Sequence, residues 1–88
     1  MTGPLDHDCQ LTLRMRLTLD SDALARVLGV VLVAQSTIRS VSYLMQDDCA
    51  VSELEIGAIS GQRADTIRRR LEGLACLLEL EASAREAV

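Results

Sequence analysis

From Leu11 to Leu19 the chain alternates without a break. Leu11, Leu13, Met15, Leu17 and Leu19 hold the odd positions, and Thr12, Arg14, Arg16 and Thr18 hold the even ones. Successive side chains of a strand point to opposite faces, so a period of two demands one dry face and one wet face. Such a chain must build a sheet covered on one side only. The odd positions 11 to 19 are expected under the cover, with Arg14 and Arg16 on the open side.

The cover comes next in the chain. Asp20, Ser21 and Asp22 are helix-capping residue types, placed just ahead of a helical pattern. Leu24, Val27, Leu28 and Val31 then fall at i, i+3, i+4 and i+7, one face of a helix. Val30, Leu32 and Val33 lie outside that minimal face, and an apolar set of this kind is expected to serve an interface. Gln35-Ser36-Thr37 ends the helix. Ile38 to Met45 reads as a second strand, with Arg39, Val41, Tyr43 and Met45 on one side, and Gln46-Asp47-Asp48 as a turn. Val51 to Ile59 reads as a third strand, with Leu54, Ile56 and Ala58 facing one way and Glu53, Glu55 and Gly57 the other. Ser60-Gly61-Gln62 reads as a loop. A second helix is predicted over about 63–75, with Ile67, Leu71 and Leu74 inward. Leu77 to Ala82 completes the set, with Leu78 and Leu80 inward and Glu79 and Glu81 outward.

The order strand, helix, strand, strand, helix, strand predicts an α+β fold. It is the ferredoxin-like βαββαβ sandwich, a four-stranded antiparallel sheet with two helices on one face. The usual sheet order puts strands one and three in the middle. Arg14 and Arg16 would then lie between Glu53/Glu55 and Glu79/Glu81, all on the open face. Opposite charges on neighbouring strands stabilise a sheet by about 0.2–1 kcal/mol a pair. Residues 1–10 read as a flexible leader, 11–83 as the domain and 84–88 as a short tail.

Composition narrows the functions. The chain has 88 residues, a net charge of −4, and nine basic side chains, all of them arginine. An acidic chain lacks the basic footprint that a nucleic-acid backbone requires. Arg68, Arg69 and Arg70 are consecutive and fan out around a helix instead of forming a patch. Base stacking on a sheet needs aromatic residues, and Tyr43 is the single aromatic residue of the chain. The stretch from Val27 to Ala34 falls far short of the about 20 apolar residues a bilayer span needs. The polar start has neither the charge nor the apolar stretch of a signal peptide. Cys9, Cys49 and Cys76 are odd in number and widely spaced, which suits a reducing compartment. The expectation is a cytoplasmic protein that contacts neither nucleic acid nor membrane.

No catalytic constellation is visible either. His7 stands alone in the leader. The alternating glutamates read as an arginine-paired, solvated face and not as an acid/base group. Paired acids in turns, Asp20 and Asp22 or Asp47 and Asp48, read as caps and not as metal ligands. A binding or regulatory module without a cofactor remains.

The stretch Leu17 to Tyr43, LTLDSDALARVLGVVLVAQSTIRSVSY, resembles the first half of an ACT domain. There Leu24, Arg26, Val27 and the strand starting at Ile38 match a family pattern of strand, short turn, LxRV helix and strand. The segment RRRLEGLACLLELEA is similar to the closing helix and strand of that family. In length and pattern the chain resembles the small regulatory subunits of acetolactate synthase. That resemblance implies a non-catalytic subunit that binds and activates the thiamine-diphosphate-dependent large subunit in branched-chain amino-acid biosynthesis. The alternative it leaves is a free-standing ACT domain that binds an amino acid and signals through its own oligomer. It also implies self-association, at least to a dimer, and an amino-acid site at Asp20, Ser21, Asp22 and Thr37, with Thr37 facing the turn. Effector-sensing relatives commonly carry glycine where Asp22 stands and asparagine where Thr37 stands. Glycine lets a ligand approach the backbone, whereas Asp22 adds bulk and charge. Weak or absent valine binding is expected, with Ser21 or Asp22 capping the helix.

Overall fold

The computed structural model describes Asp8–Glu86. The elements are β1 (Asp8–Leu17), α1 (Ala23–Val33), β2 (Thr37–Met45), β3 (Ala50–Ser60), α2 (Gly61–Glu72) and β4 (Leu77–Glu86). All four strands form one antiparallel sheet in the order β2-β3-β1-β4. The predicted architecture and strand order are the observed ones.

The dry face is built from both periodicities. Leu11, Leu13, Met15 and Leu17 of β1 lie under Val27 and Val31 of α1 and Ile67 and Leu71 of α2, and all eight are buried. Leu54 and Ile56 of β3 join them, Leu54 directly opposite Leu13. Burying one such side chain contributes about 1.5–3 kcal/mol. One buried polar residue, Ser52, sits on this face and donates its hydroxyl to the Ser42 carbonyl oxygen at 2.7 Å. Cys49 and Cys76 are buried as free thiols, and Cys76 belongs to the core.

Local differences from the sequence reading have local causes. Leu19 is exposed, because the sheet ends at Leu17 and the Thr18 N–H turns to the Cys76 carbonyl at 2.9 Å. Ala58 is exposed and Ile59 buried, the reverse of strict alternation. Ala58 takes a left-handed φ of 44°, and the β1–β3 register slips between Cys9 and Leu11. This bulge inserts an unpaired step and turns Ile59 back to the core. Leu78 is 53% exposed, because a second slip, between Arg16 and Leu17, pairs Leu17 with Leu77.

Element ends shift as well. Asp8–Gln10, placed in the leader by composition, belong to β1, and Ala84–Glu86, placed in the tail, belong to β4. Ladder pairing such as Gln10 with Arg85 carries these ends, with little side-chain patterning to announce them. The remainder of the leader and tail, 1–7 and 87–88, lies outside the described residues. α2 starts at Gly61 because the Ser60 hydroxyl accepts from the Arg63 N–H at 3.2 Å, making Ser60 its N-cap. α1 stops where Gln35 adopts φ 57° and the Ser36 hydroxyl donates to the Val31 carbonyl at 2.7 Å. Among the described residues, no helix is long and apolar enough to cross a membrane.

Candidate functional site

The turn from β1 into α1 carries three of the four sequence-predicted site residues, Asp20, Ser21 and Asp22, all exposed. Thr18 Oγ1 donates to Asp20 Oδ2 at 2.8 Å, and the Ala23 N–H donates to the Asp20 carbonyl at 3.1 Å. These bonds shape the turn and fix one carboxylate beside it. Asp22 occupies the N-cap position, yet it makes no side-chain cap. Its Oδ2 instead accepts from Arg26, with Nε and Nη2 both at 2.9 Å. The expected cap by Asp22 or Ser21 is therefore absent, because Arg26, one turn along, competes for the acid. An i,i+4 acid–arginine pair is a readable signal, and Asp22 with Arg26 has that spacing.

Thr37 lies elsewhere. It opens β2 and pairs with Gly57, next to Ile56, which pairs with Leu11. The Asp20–Asp22 turn follows Leu17, at the other end of β1. Six residues of strand separate Leu11 from Leu17, roughly 20 Å at 3.3 Å per residue. Within one chain, Thr37 does not face the turn. The helical crossover of α1 reverses the chain and delivers Thr37 to the far end of the sheet.

The open face carries the charge pattern. Arg14 Nε meets Glu53 Oε2 at 2.8 Å, and Arg16 Nη1 meets Glu79 Oε1 at 3.0 Å. Ser40 Oγ donates to Glu55 Oε1 at 2.7 Å. Arg16 Nη2 also lies 3.7 Å from Cys49 Sγ, and the thiol, then Glu79, holds the guanidinium more firmly charged. A shallow concavity of about 500 Å³ runs over this face, walled by Arg14, Arg16, Glu53, Glu79 and Glu81. Glu53 and Glu79 are paired with arginines and Glu55 accepts from the Ser40 hydroxyl, and among the described residues no histidine stands beside them. Among the described residues, no group of three His, Cys, Asp or Glu side chains is placed to hold a metal ion.

No protein-family model matches the chain, and no curated protein does. Solved structures do match. The crystal structure of the ACT domain from the GTP pyrophosphokinase of Chlorobium tepidum superposes with a TM-score of 0.75, at 16% identity, over 86% of this chain and 99% of that one. The fold is the ACT fold. The solution structure of the same domain gives a TM-score of 0.72 at 16% identity, covering 86% of each chain. The C-terminal domain of the MgtC protein from Mycobacterium tuberculosis gives 0.67 at 11% identity, over 98% of this chain and 95% of that one. Identities this low make the likeness one of backbone path. The ACT fold accounts for the position of the turn at the exposed end of β1, while the side chains on it are this chain's own.

Proposed function

We propose that this chain is a non-catalytic regulatory subunit that binds and activates a thiamine-diphosphate-dependent acetolactate synthase large subunit. The observation that carries the regulatory part is an ACT fold whose charged side chains pair with one another instead of converging on a reaction centre. The choice of partner rests on the resemblance of Leu17–Tyr43, and of the closing helix and strand, to the small subunits of that enzyme. The chain brings no cofactor of its own in this reading. Asp20, Ser21 and Asp22 form the effector turn, and Thr37 reaches a ligand only if a second domain supplies it.

The free-standing amino-acid sensor remains the second reading. The absence of a side-chain cap on α1 favours it, since open N–H groups at a helix start suit a ligand carboxylate. Mixing the chain with the large subunit from the same source separates the two. A rise in turnover and co-elution are expected. If neither occurs and an amino acid raises the melting temperature, the sensor reading replaces the subunit reading.

A further inference from the structure

The arginines of α2 divide into two sets. Arg68 is held by Asp65 at 2.7 Å and by Glu72 at 3.3 Å, and Arg69 by Asp65 at 3.1 Å. Arg14, Arg16 and Arg26 are likewise held by carboxylates. Arg63 and Arg70 are exposed, and among the described residues neither makes an ion pair. Seven residues of helix return them to one face of α2, turned from each other by only about 20°. Together they border a concavity of about 260 Å³, whose other wall is the end of α1 at Val33, Ala34 and Gln35.

The cleft has a backbone cause. Gln35 leaves α1 with φ 57°, and Ser36 Oγ closes the helix end on the Val31 carbonyl. The chain then turns away into β2 and leaves Val33 69% exposed at the rim. Thr66 stands between the two arginines, and its hydroxyl already donates to the Gln62 carbonyl at 3.0 Å. The cleft thus presents two separated cations and an apolar rim, without an aromatic ring among its lining residues.

We infer that this cleft docks an acidic helical segment of the partner protein. One carboxylate meets Arg63, a second two turns along meets Arg70, and an apolar side chain between them rests on Val33 and Ala34. Spacing selects the form of the ligand. At 1.5 Å per residue the two arginines stand about 10.5 Å apart along α2. Same-face side chains of an extended peptide recur at about 6.7 and 13.4 Å and miss that interval. Acids at i and i+7 of a second helix match it. A single phosphate needs donors that converge, and a nucleobase needs a ring to stack on; this cleft has its cations two turns apart and no ring. Charge selects the partner. The chain carries −4 overall, so an acidic segment is repelled by most of its surface and accepted where arginines are unpaired. The inference rests on the reading of the chain as a subunit that binds a partner, and adds the surface and the chemistry of the segment it takes.

A fluorescent alanine-based helical peptide tests the site, with two glutamates seven residues apart and a leucine midway. Anisotropy with the full chain is expected to show saturable binding that weakens in high salt. A peptide with glutamine at both acids, or with the glutamates five residues apart, is expected to bind about 10-fold more weakly. Arg63→Gln with Arg70→Gln is expected to lose the same factor with unchanged circular dichroism. Arg63→Lys with Arg70→Lys should retain most of the binding, and Arg68→Gln with Arg69→Gln all of it. R63Q/R70Q is also expected to abolish co-elution with the large subunit. No peptide binding, binding indifferent to the glutamates or to R63Q/R70Q, or capture of pyrophosphate in place of the peptide would overturn the site. Failure of the natural chain to bind the large subunit would instead count against that enzyme as partner, and the peptide measurements would still decide the cleft.

Discussion

Arg26 holds the carboxylate of Asp22 on the outside of α1, through Nε and Nη2 at 2.9 Å each, and so draws it away from the helix start it was placed to cap. Two carboxylates, Asp20 and Asp22, still surround that start. An incoming amino acid meets open N–H groups and an unfavourable local charge at once. Weak valine binding by the natural chain is expected, and Asp22→Gly is expected to raise the affinity by removing the nearer charge and freeing Arg26. As no cap is lost, the variant is expected to keep its stability within about 0.5 kcal/mol. Isothermal calorimetry on both proteins decides this, and tight valine binding by the natural chain would refute it.

The core pair Leu13 and Leu54 sets the scale of stability. Both are fully buried and directly opposed. Leu13→Ala is expected to cost about 2–5 kcal/mol, read from urea unfolding. Leu78→Ala, at the register slip and exposed, is expected to cost about 0.5 kcal/mol or less. Similar losses at the two positions would mean that Leu78 faces inward after all.

Asp65 supplies the pH dependence. Its carboxyl sits below the ordinary aspartate range, chiefly because Arg68 donates to Oδ1 at 2.7 Å, with Arg69 adding attraction. A carboxyl whose pKa is lower folded than unfolded stabilises the fold above the unfolded value. That contribution fades as pH falls through the folded value. Between neutral pH and about pH 5 no change from this group is expected, and below the usual aspartate range the melting temperature should drop. Asp65→Asn should melt lower than the natural chain at neutral pH, with the gap closing in acid. Thermal melts from pH 7 to pH 2 check it.

The exposed pair Arg14–Glu53 is expected to matter little. A double-mutant cycle with Arg14→Ala and Glu53→Ala should give a coupling of about 0.2–1 kcal/mol, shrinking in high salt. A coupling of several kcal/mol would mark the open face as more than a solvated surface.

The alternation from Leu11 to Leu17 and the helical spacing of Val27 and Val31 made the layers legible, because burial imposes those periods directly. The pairing of Arg14 and Arg16 with glutamates on both sides followed from the strand order. What the residues did not announce was backbone irregularity. Neither Ala58 nor Leu78 is a residue type that marks a bulge, and the two slips depend on strands far apart in sequence. The site was legible in part. Asp22 and Arg26 stand at a readable spacing, whereas the distance of Thr37 from the turn depends on which end of the sheet the crossover reaches.

The bulge at Ala58 acts as a phase corrector. Ile56 and Ile59 both reach the core although they are three residues apart, an odd interval that strict alternation forbids. Ser60 follows and starts α2. Removing Ala58 would leave Ile56 and Ile59 two residues apart, an even interval that plain alternation satisfies, with Ser60 still placed to pair with Asp8. Ala58→Gly, by contrast, keeps the count and relieves a left-handed alanine, and is expected to stabilise the chain by about 1 kcal/mol. The alanine tells how much strain this chain tolerates to keep its beat; a melting temperature unchanged or lowered by that glycine would show that there was none to relieve.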